Sequence, residues 1–279
     1  MNTIELNNGI KMPMLGYGVF LVGPQECEHC VSEAIRLGYR LIDTAQAYYN
    51  EEGVGAAISK CGIPREELFL TTKVWISNAG EEKAARSIDE SLHKLRTDYI
   101  DLLLLHWPFA NYYAAWRVLE KLYAEGKVRA IGVSDFEPDR LLGLIAYNKV
   151  VPAVNQIETN LYCQRVSERI WMDKSRVAHM AYAPLGQGSR NEMFAEPAVS
   201  ALAEKYGKTP AQILLRFLVQ RGIAVIPRST KYEHIKENFE LFDFALTADE
   251  TARLSALDKK EPLIGRPETP ELVELSQTW

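Results

Sequence analysis

No apolar stretch in these 279 residues approaches the roughly 20 needed to span a bilayer as a helix. The opening Met1-Asn2-Thr3-Ile4-Glu5 lacks the basic start and apolar centre of a secretory signal. A membrane partner is therefore not expected, and the chain is predicted to be cytoplasmic. Cysteine is scarce: Cys27, Cys30, Cys61 and Cys163 are too few and too scattered for a disulfide scaffold. Cys27-Glu28-His29-Cys30 invites a metal or redox reading. No second cysteine pair completes a zinc set, and the motif falls inside a helix-period segment rather than at a helix N-terminus. No metal site is expected. The net charge of −5 gives no basic surface, which argues against nucleic acid as a partner. Also missing is the third glycine of a dinucleotide-binding turn, because Gly16-Tyr17-Gly18 runs on into Val19, Phe20 and Leu21. That absence argues against a doubly wound nucleotide-binding sheet. With no linker, low-complexity run or composition break, residues 1–279 are expected to form a single domain.

What is present is ordinary in bulk and informative in order. Apolar content of 47% and charged content of 25% suit a globular protein. The segment Thr3 to Met12 predicts a hairpin turning at Asn8-Gly9, since both positions tolerate positive φ. Eight short apolar runs follow: Leu15–Val19, Leu41–Asp43, Leu68–Lys73, Ile100–Leu105, Val128–Val133, Ala153–Glu158, Ala178–Tyr182 and Ala224–Ile226. Between and after them lie helix-period segments at Gln25–Leu37, Glu51–Cys61, Glu81–Leu95, Tyr112–Glu125, Pro138–Asn148, Arg165–Lys174, Pro210–Arg221 and Tyr232–Asn238. Ala198–Tyr206 and Ala248–Leu257 predict extra helices, before a proline-containing tail. Strands rich in Leu, Ile and Val without alternation suit a sheet buried on both faces. Eight β/α units in strict alternation predict an α/β fold closed into a parallel eight-stranded barrel of the TIM type.

Such a barrel builds its site at the carboxyl ends of its strands. Three successive runs deliver chemistry there. Leu41–Asp43 ends in Asp43, with Tyr48 five residues later; Leu68–Thr72 leads into Lys73; Ile100–Leu105 leads into His106. Singly, each has a bland reading: a packed tyrosine, a solvated lysine, a satisfied core histidine. Together they suit carbonyl reduction, which needs a proton donor beside a hydride donor. A free tyrosine titrates near 10, too high to protonate an alkoxide efficiently at neutral pH, and a nearby Lys73 ammonium is expected to lower that value. Asp43 would keep Lys73 charged and in place, and His106 would orient the substrate carbonyl.

Asp43-Thr44-Ala45-x-x-Tyr48, Thr72-Lys73-Val74-Trp75, His106-Trp107-Pro108, Ile131-Gly132-Val133-Ser134, Val154-Asn155-Gln156-Ile157-Glu158, Tyr182-Ala183-Pro184-Leu185-Gly186 and Ile226-Pro227-Arg228-Ser229 occur in one order along nearly the whole chain. In that order and spacing the sequence resembles the aldo-keto reductases, and within them the bacterial diketogluconate reductase-like branch. The resemblance implies an NADPH-dependent carbonyl reductase, with NADH possible as donor. It implies that Ser134, position 135, Asn155 and Gln156 hold the nicotinamide carboxamide, that the Tyr182 ring stacks on the nicotinamide, and that Leu185 lines the cofactor groove. The family usually has Asn where this chain has Asp135. As a carboxylate, Asp135 lacks the amide donor; it alternatively reads as a cap for the helix opening at Pro138. The adenosine end falls to Arg228, Ser229, Thr230, His234, Glu237 and Asn238. Arg228 replaces the usual Lys and has a fork suited to a 2′-phosphate, whereas His234 stands where Arg is common, which weakens that grip. Phe20, Trp75 and Trp107 are expected to wall the substrate pocket, and the short segment after His106 suggests an open mouth that the tail from Leu263 to Trp279 can cover. The expected partner is a small carbonyl compound, and a monomer is favoured. Two rivals stand beside this reading: a Schiff-base aldolase using Lys73, and a nucleotide-binding redox sensor without turnover.

Overall fold

The computed structural model describes residues 2–264 and 269–278. A short antiparallel hairpin, β1 (Thr3–Glu5) with β2 (Lys11–Pro13), opens the chain. Its turn differs from the expected one. Only Gly9 takes positive φ (83°), while Asn8 stays on the other side and accepts from the Ile10 amide through its side chain. A right-handed turn followed by one left-handed glycine closes the hairpin, and only glycine meets that φ without strain.

Eight parallel strands then make one sheet in chain order: β3 (Gly16–Gly18), β4 (Leu41–Asp43), β5 (Phe69–Val74), β6 (Ile100–Leu105), β7 (Val128–Ser134), β8 (Val154–Glu158), β9 (Ala178–Tyr182) and β10 (Ala224–Val225). Helices α1 (Pro24–Leu37), α2 (Glu51–Lys60), α3 (Glu81–Leu95), α4 (Tyr112–Ala124), α5 (Pro138–Ala146) and α6 (Val166–Lys174) fill the successive crossovers. The last crossover carries α7 (Arg190–Ala195), α8 (Pro197–Tyr206) and α9 (Pro210–Gln220), and α10 (Tyr232–Phe239), α11 (Ala248–Ser255) and α12 (Pro270–Ser276) follow β10. The sheet nearly closes on itself. Val225 N donates to Met14 O at 2.9 Å, and Gly18 N to Pro227 O at 3.1 Å. Pro227 has no N–H, so β10 stops one residue short of the expected Ile226.

The closure explains the two glycines that lacked a phosphate-binding sequel. A Cβ on Gly16 would lie 2.1 Å from Leu41 Cδ2, and one on Gly18 2.8 Å from Ile226 O. They are there so that β3 can approach its two neighbours. The continuous apolar strands are explained as well. Leu102 and Leu104 of β6 point into the barrel, while Leu103 and Leu105 pack outward against the helices around Trp116. Both faces are buried, so alternation vanishes. Capping boxes start α9 (Thr209 with Gln212) and α11 (Thr247 with Glu250). The sequence did not anticipate α7 and α12, which are short and lack a helical apolar stripe. The tail read as 263–279 is described at Leu263–Ile264 and 269–278; residues 265–268 and Trp279 lie outside the described residues.

Candidate active site

Inward-facing positions follow the same two-residue rule at the top of the barrel. Lys73 pairs in register with Leu104, so it faces the barrel axis, and His106 is the next inward position after Leu104. Its amide continues the ladder onto Val74 O at 3.1 Å. Asp43 stands level with Gly18 and Thr71. Tyr48 arrives on a 3₁₀ turn, Gln46–Tyr48. That turn is pinned by Gln46, whose Oε1 accepts from Trp75 N and Asn78 Nδ2, both at 2.9 Å, and whose Nε2 donates to Ser87 O at 3.1 Å.

The four residues do meet. Lys73 Nζ lies 2.5 Å from Asp43 Oδ1, 2.9 Å from Thr44 O and 3.3 Å from Tyr48 Oη. The His106 ring meets Tyr48 edge-on, with centroids 5.5 Å apart, and Trp75 flanks it at 5.0 Å. Gln156 Nε2 donates to the other Asp43 oxygen at 2.7 Å. Lys73 is wholly buried. Burial alone would strip its proton; the Asp43 charge and hydrogen bond, with Tyr48, outweigh that and hold Lys73 above its ordinary range. It is an ammonium held by a carboxylate. His106 goes the other way. Burial, then the Lys73 charge, pushes it well below 6.5, so the ring is neutral at physiological pH. Its Nδ1 is buried without a hydrogen bond among the described residues.

One electrostatic expectation is corrected here. Tyr48 sits above, not below, its ordinary value. Burial is the main cause. Lys73 pulls it down as expected, but Asp43, 2.5 Å from that ammonium, cancels part of the pull. The phenol therefore keeps its proton at neutral pH, and Lys73 favours the phenolate only at the moment the proton leaves.

Asp43, Tyr48 and His106 line a cavity of about 630 Å³. Phe20, Trp75 and Trp107 line it, and the Phe20 ring lies 5.0 Å from that of Tyr48. Ser134, Asp135, Gln156, Tyr182, Leu185 and Arg228 line it too. Asn155 does not. It is the outward neighbour of Gln156, and its amide donates to Phe136 O at 2.8 Å. Ser134 Oγ donates to Gln156 O at 2.9 Å. Arg228 is exposed, and its fork donates to Phe20 O (2.9 Å) and Leu21 O (3.1 Å). Ser229 Oγ accepts from Lys231 N at 3.1 Å, which shapes the entry to α10. Thr230 and His234 are exposed beyond Arg228. Glu237 is half-buried and Asn238 buried on the same helix, and neither reaches the cavity wall.

Asp135 does not cap the next helix. The residue preceding α5 is Glu137, with no side-chain cap. Instead Asp135 takes the left-handed conformation (φ 57°) and accepts from Tyr182 Oη at 2.9 Å. The Cys27–Cys30 pair is also inert. Both thiols are buried in α1, and burial pushes Cys27 up to about 12. Among the described residues, no group of three or more His, Cys, Asp or Glu side chains is arranged to hold a metal. No helix among them is long and apolar enough to cross a membrane.

Two residues at the site carried no assigned role in the sequence. Asn50 donates from Nδ2 to Val19 O (2.9 Å) and Val22 O (3.0 Å), which fixes the loop carrying Phe20. Glu158, wholly buried at the end of β8, accepts from the amides of Leu263 (2.8 Å) and Ile264 (3.0 Å). It thereby brings Ile264 to the cavity wall. A charged residue closing a predicted buried strand was the available signal for Glu158.

Known proteins resemble this chain in sequence and in fold. The family description "Aldo/keto reductase family" matches residues 15–259. The chain is 41% identical to a 9,11-endoperoxide prostaglandin H2 reductase of Trypanosoma cruzi, over 96% of this chain and 95% of that one. It is 40% identical to the methylglyoxal reductase DkgA of Escherichia coli, over 93% and 94%. A solved Bombyx mori aldo-keto reductase in complex with NADP superposes with a TM-score of 0.90 at 35% identity, over 95% of each chain. The chain belongs to the aldo/keto reductase family and resembles its bacterial diketogluconate reductase-like branch.

Proposed function

We propose that the chain reduces aldehydes or ketones with NADPH, and that Tyr48 is the proton donor. The observation that carries this reading is the set of distances around Lys73: a charged lysine clamped by Asp43, with Tyr48 Oη 3.3 Å away and a neutral His106 ring alongside. The cavity residues fit a nicotinamide dinucleotide. Tyr182 offers a half-buried ring, Gln156 a polar side chain, and Arg228 at the rim a bidentate fork for phosphate. When bound, that cofactor supplies the hydride. The protein supplies the rest. His106 donates a hydrogen bond to the carbonyl oxygen and turns it toward Tyr48. Tyr48 Oη gives its proton to the oxygen as negative charge develops there, and Lys73 stabilises the phenolate left behind. Phe20, Trp75 and Trp107 exclude water.

The Schiff-base alternative is disfavoured by the same geometry. An aldolase lysine must be neutral, and Asp43 holds Lys73 charged. A cofactor sensor without turnover has no need of the acid–lysine–phenol relay. The relatives' names differ in substrate, so the substrate is proposed only as a class. The 630 Å³ cavity with its aromatic rim suits small aldehydes, ketones and 2-oxoaldehydes. Loss of NADPH absorbance against such a panel tests the reading. Wild type should turn over several members, and Tyr48→Phe should fall by about 100- to 10,000-fold while still binding NADPH. Near-wild-type turnover by Tyr48→Phe would remove Tyr48 from its role.

A further inference from the structure

We propose that Asp135 works as a neutral carboxylic acid that donates a hydrogen bond into the cavity, and that cofactor affinity is therefore gated by pH. This rests on the cofactor-binding reading above and adds a mechanism to it. Asp135 is 3% exposed yet lines the cavity. Its Oδ1 is taken by the Tyr182 hydroxyl at 2.9 Å. Among the described residues, nothing hydrogen-bonds Oδ2. An oxygen left open to the cavity in this way accepts as a carboxylate and donates as an acid.

The surroundings decide which it is. Among the described residues, no cation forms an ion pair with Asp135. Arg165, the cation that acts on it, is committed to Glu137 Oε1 (3.1 Å), Glu168 Oε1 (2.9 Å) and Glu158 O (3.2 Å). The groups acting on Asp135 are Tyr182 from β9, Arg165 before α6, Glu158 from β8 and Glu137 before α5; Tyr48 couples to it as well. Burial is the largest influence on Asp135, and the net effect of all these groups is to push it up to about 8. The Tyr182 hydrogen bond and Arg165 oppose burial, and the two glutamates add to it. Tyr182 itself is held well above 10, so it stays a donor throughout.

The neighbouring acceptor completes the logic. Gln156 Nε2 faces the Asp43 carboxylate at 2.7 Å, and a carboxylate only accepts, so the amide orientation is settled. Its Oε1 is then an acceptor. An acid O–H and an amide oxygen complement a primary carboxamide, which presents one C=O and one NH₂. When Asp135 ionises, the O–H becomes a second acceptor facing the same carbonyl oxygen, and the match becomes a repulsion.

The test is the binding of NADPH and of NADH, each followed by quenching of tryptophan fluorescence in the purified protein, between about pH 6.5 and 9.5. In wild type, affinity for both cofactors should hold up to about pH 8 and then fall, by as much as about tenfold per pH unit. Asp135→Asn, which carries a donor at every pH, should show no such fall. Tyr182→Phe removes a hydrogen bond that favours the ionised form, so its fall should move to higher pH. An unchanged fall in Asp135→Asn, a wild type that binds both cofactors with no fall, or a fall confined to NADPH would each overturn the gate while leaving the reductase reading standing. A wild type that binds neither cofactor would overturn both.

Discussion

At the amino-terminal end of the barrel, Asp101 is wholly buried at the start of β6. Its Oδ1 meets Arg129 at 2.6 Å; its Oδ2 meets Arg65 at 2.8 Å and the Leu70 amide at 3.0 Å. At the carboxyl-terminal end, Asp135 is almost as buried, yet it meets one phenol and keeps one oxygen open to the cavity. At the same end, His106 leaves Nδ1 without a partner among the described residues. The two ends show one residue type under opposite treatment. Where every polar atom is matched, a buried charge ties strands together. Where partners are withheld, the same burial moves protonation states and leaves groups able to act on something that enters. Asp43 is intermediate: fully matched by Lys73 and Gln156, but matched at the reactive end, so its order serves Lys73.

The comparison breaks most visibly at Lys73. Lys73→Met should cost orders of magnitude in turnover and move the alkaline loss of activity to higher pH, because the group that lowers the Tyr48 value is gone. A pH–rate profile that overlays the wild type in shape and height would contradict this, with circular dichroism checking that the barrel survives the unpaired Asp43.

Asp101→Ala should do the converse. It leaves two arginines without their carboxylate, and since both are partly exposed, the loss of stability should be about 2–3 kcal/mol, toward the low side for a broken buried pair. Turnover per folded molecule should stay at the wild-type level. Urea unfolding alongside a rate assay separates the two. A large fall in turnover at full folding would erase the distinction between the ends.

The smallest effect is expected at the rim. His234 is exposed on α10, beyond Arg228. His234→Arg should tighten NADPH by only a few-fold, since an exposed ion pair is worth about 0.2–1 kcal/mol, and should leave NADH unchanged. Equal gains for both cofactors would take His234 away from the 2′-phosphate.

Much of the site was legible before the fold was known, and the reason is local. Leu41–Asp43, Ile100–Leu105 and Ala178–Tyr182 coincide with β4, β6 and β9, because a strand buried on both faces must be apolar throughout and stops where polar residues begin. In a closed parallel barrel those stops converge, so Asp43, Lys73 and His106 were bound to meet. Less legible were features set by contacts distant in sequence. Asn155 and Gln156 looked equivalent as neighbours, but strand alternation turns one inward and the other onto Phe136 O. Glu158 reaches Leu263 and Ile264 across more than a hundred residues.

The order of apolar runs and helical segments, and the residue types at their ends, determined the parallel barrel and which side chains gather at its mouth; periodicity and strand termination are properties of neighbouring residues. Only the tertiary structure decided why Gly16 and Gly18 must lack a Cβ, since the obstructing atoms belong to Leu41 and Ile226. It alone decided the direction of the Tyr48 shift, which depends on burial and on how nearly Asp43 neutralises Lys73. It alone paired Asp135 with Tyr182, 47 residues away, and kept Arg165 occupied elsewhere. Charge and desolvation act through space, and the spaces here are set by how β3 and β10 come together.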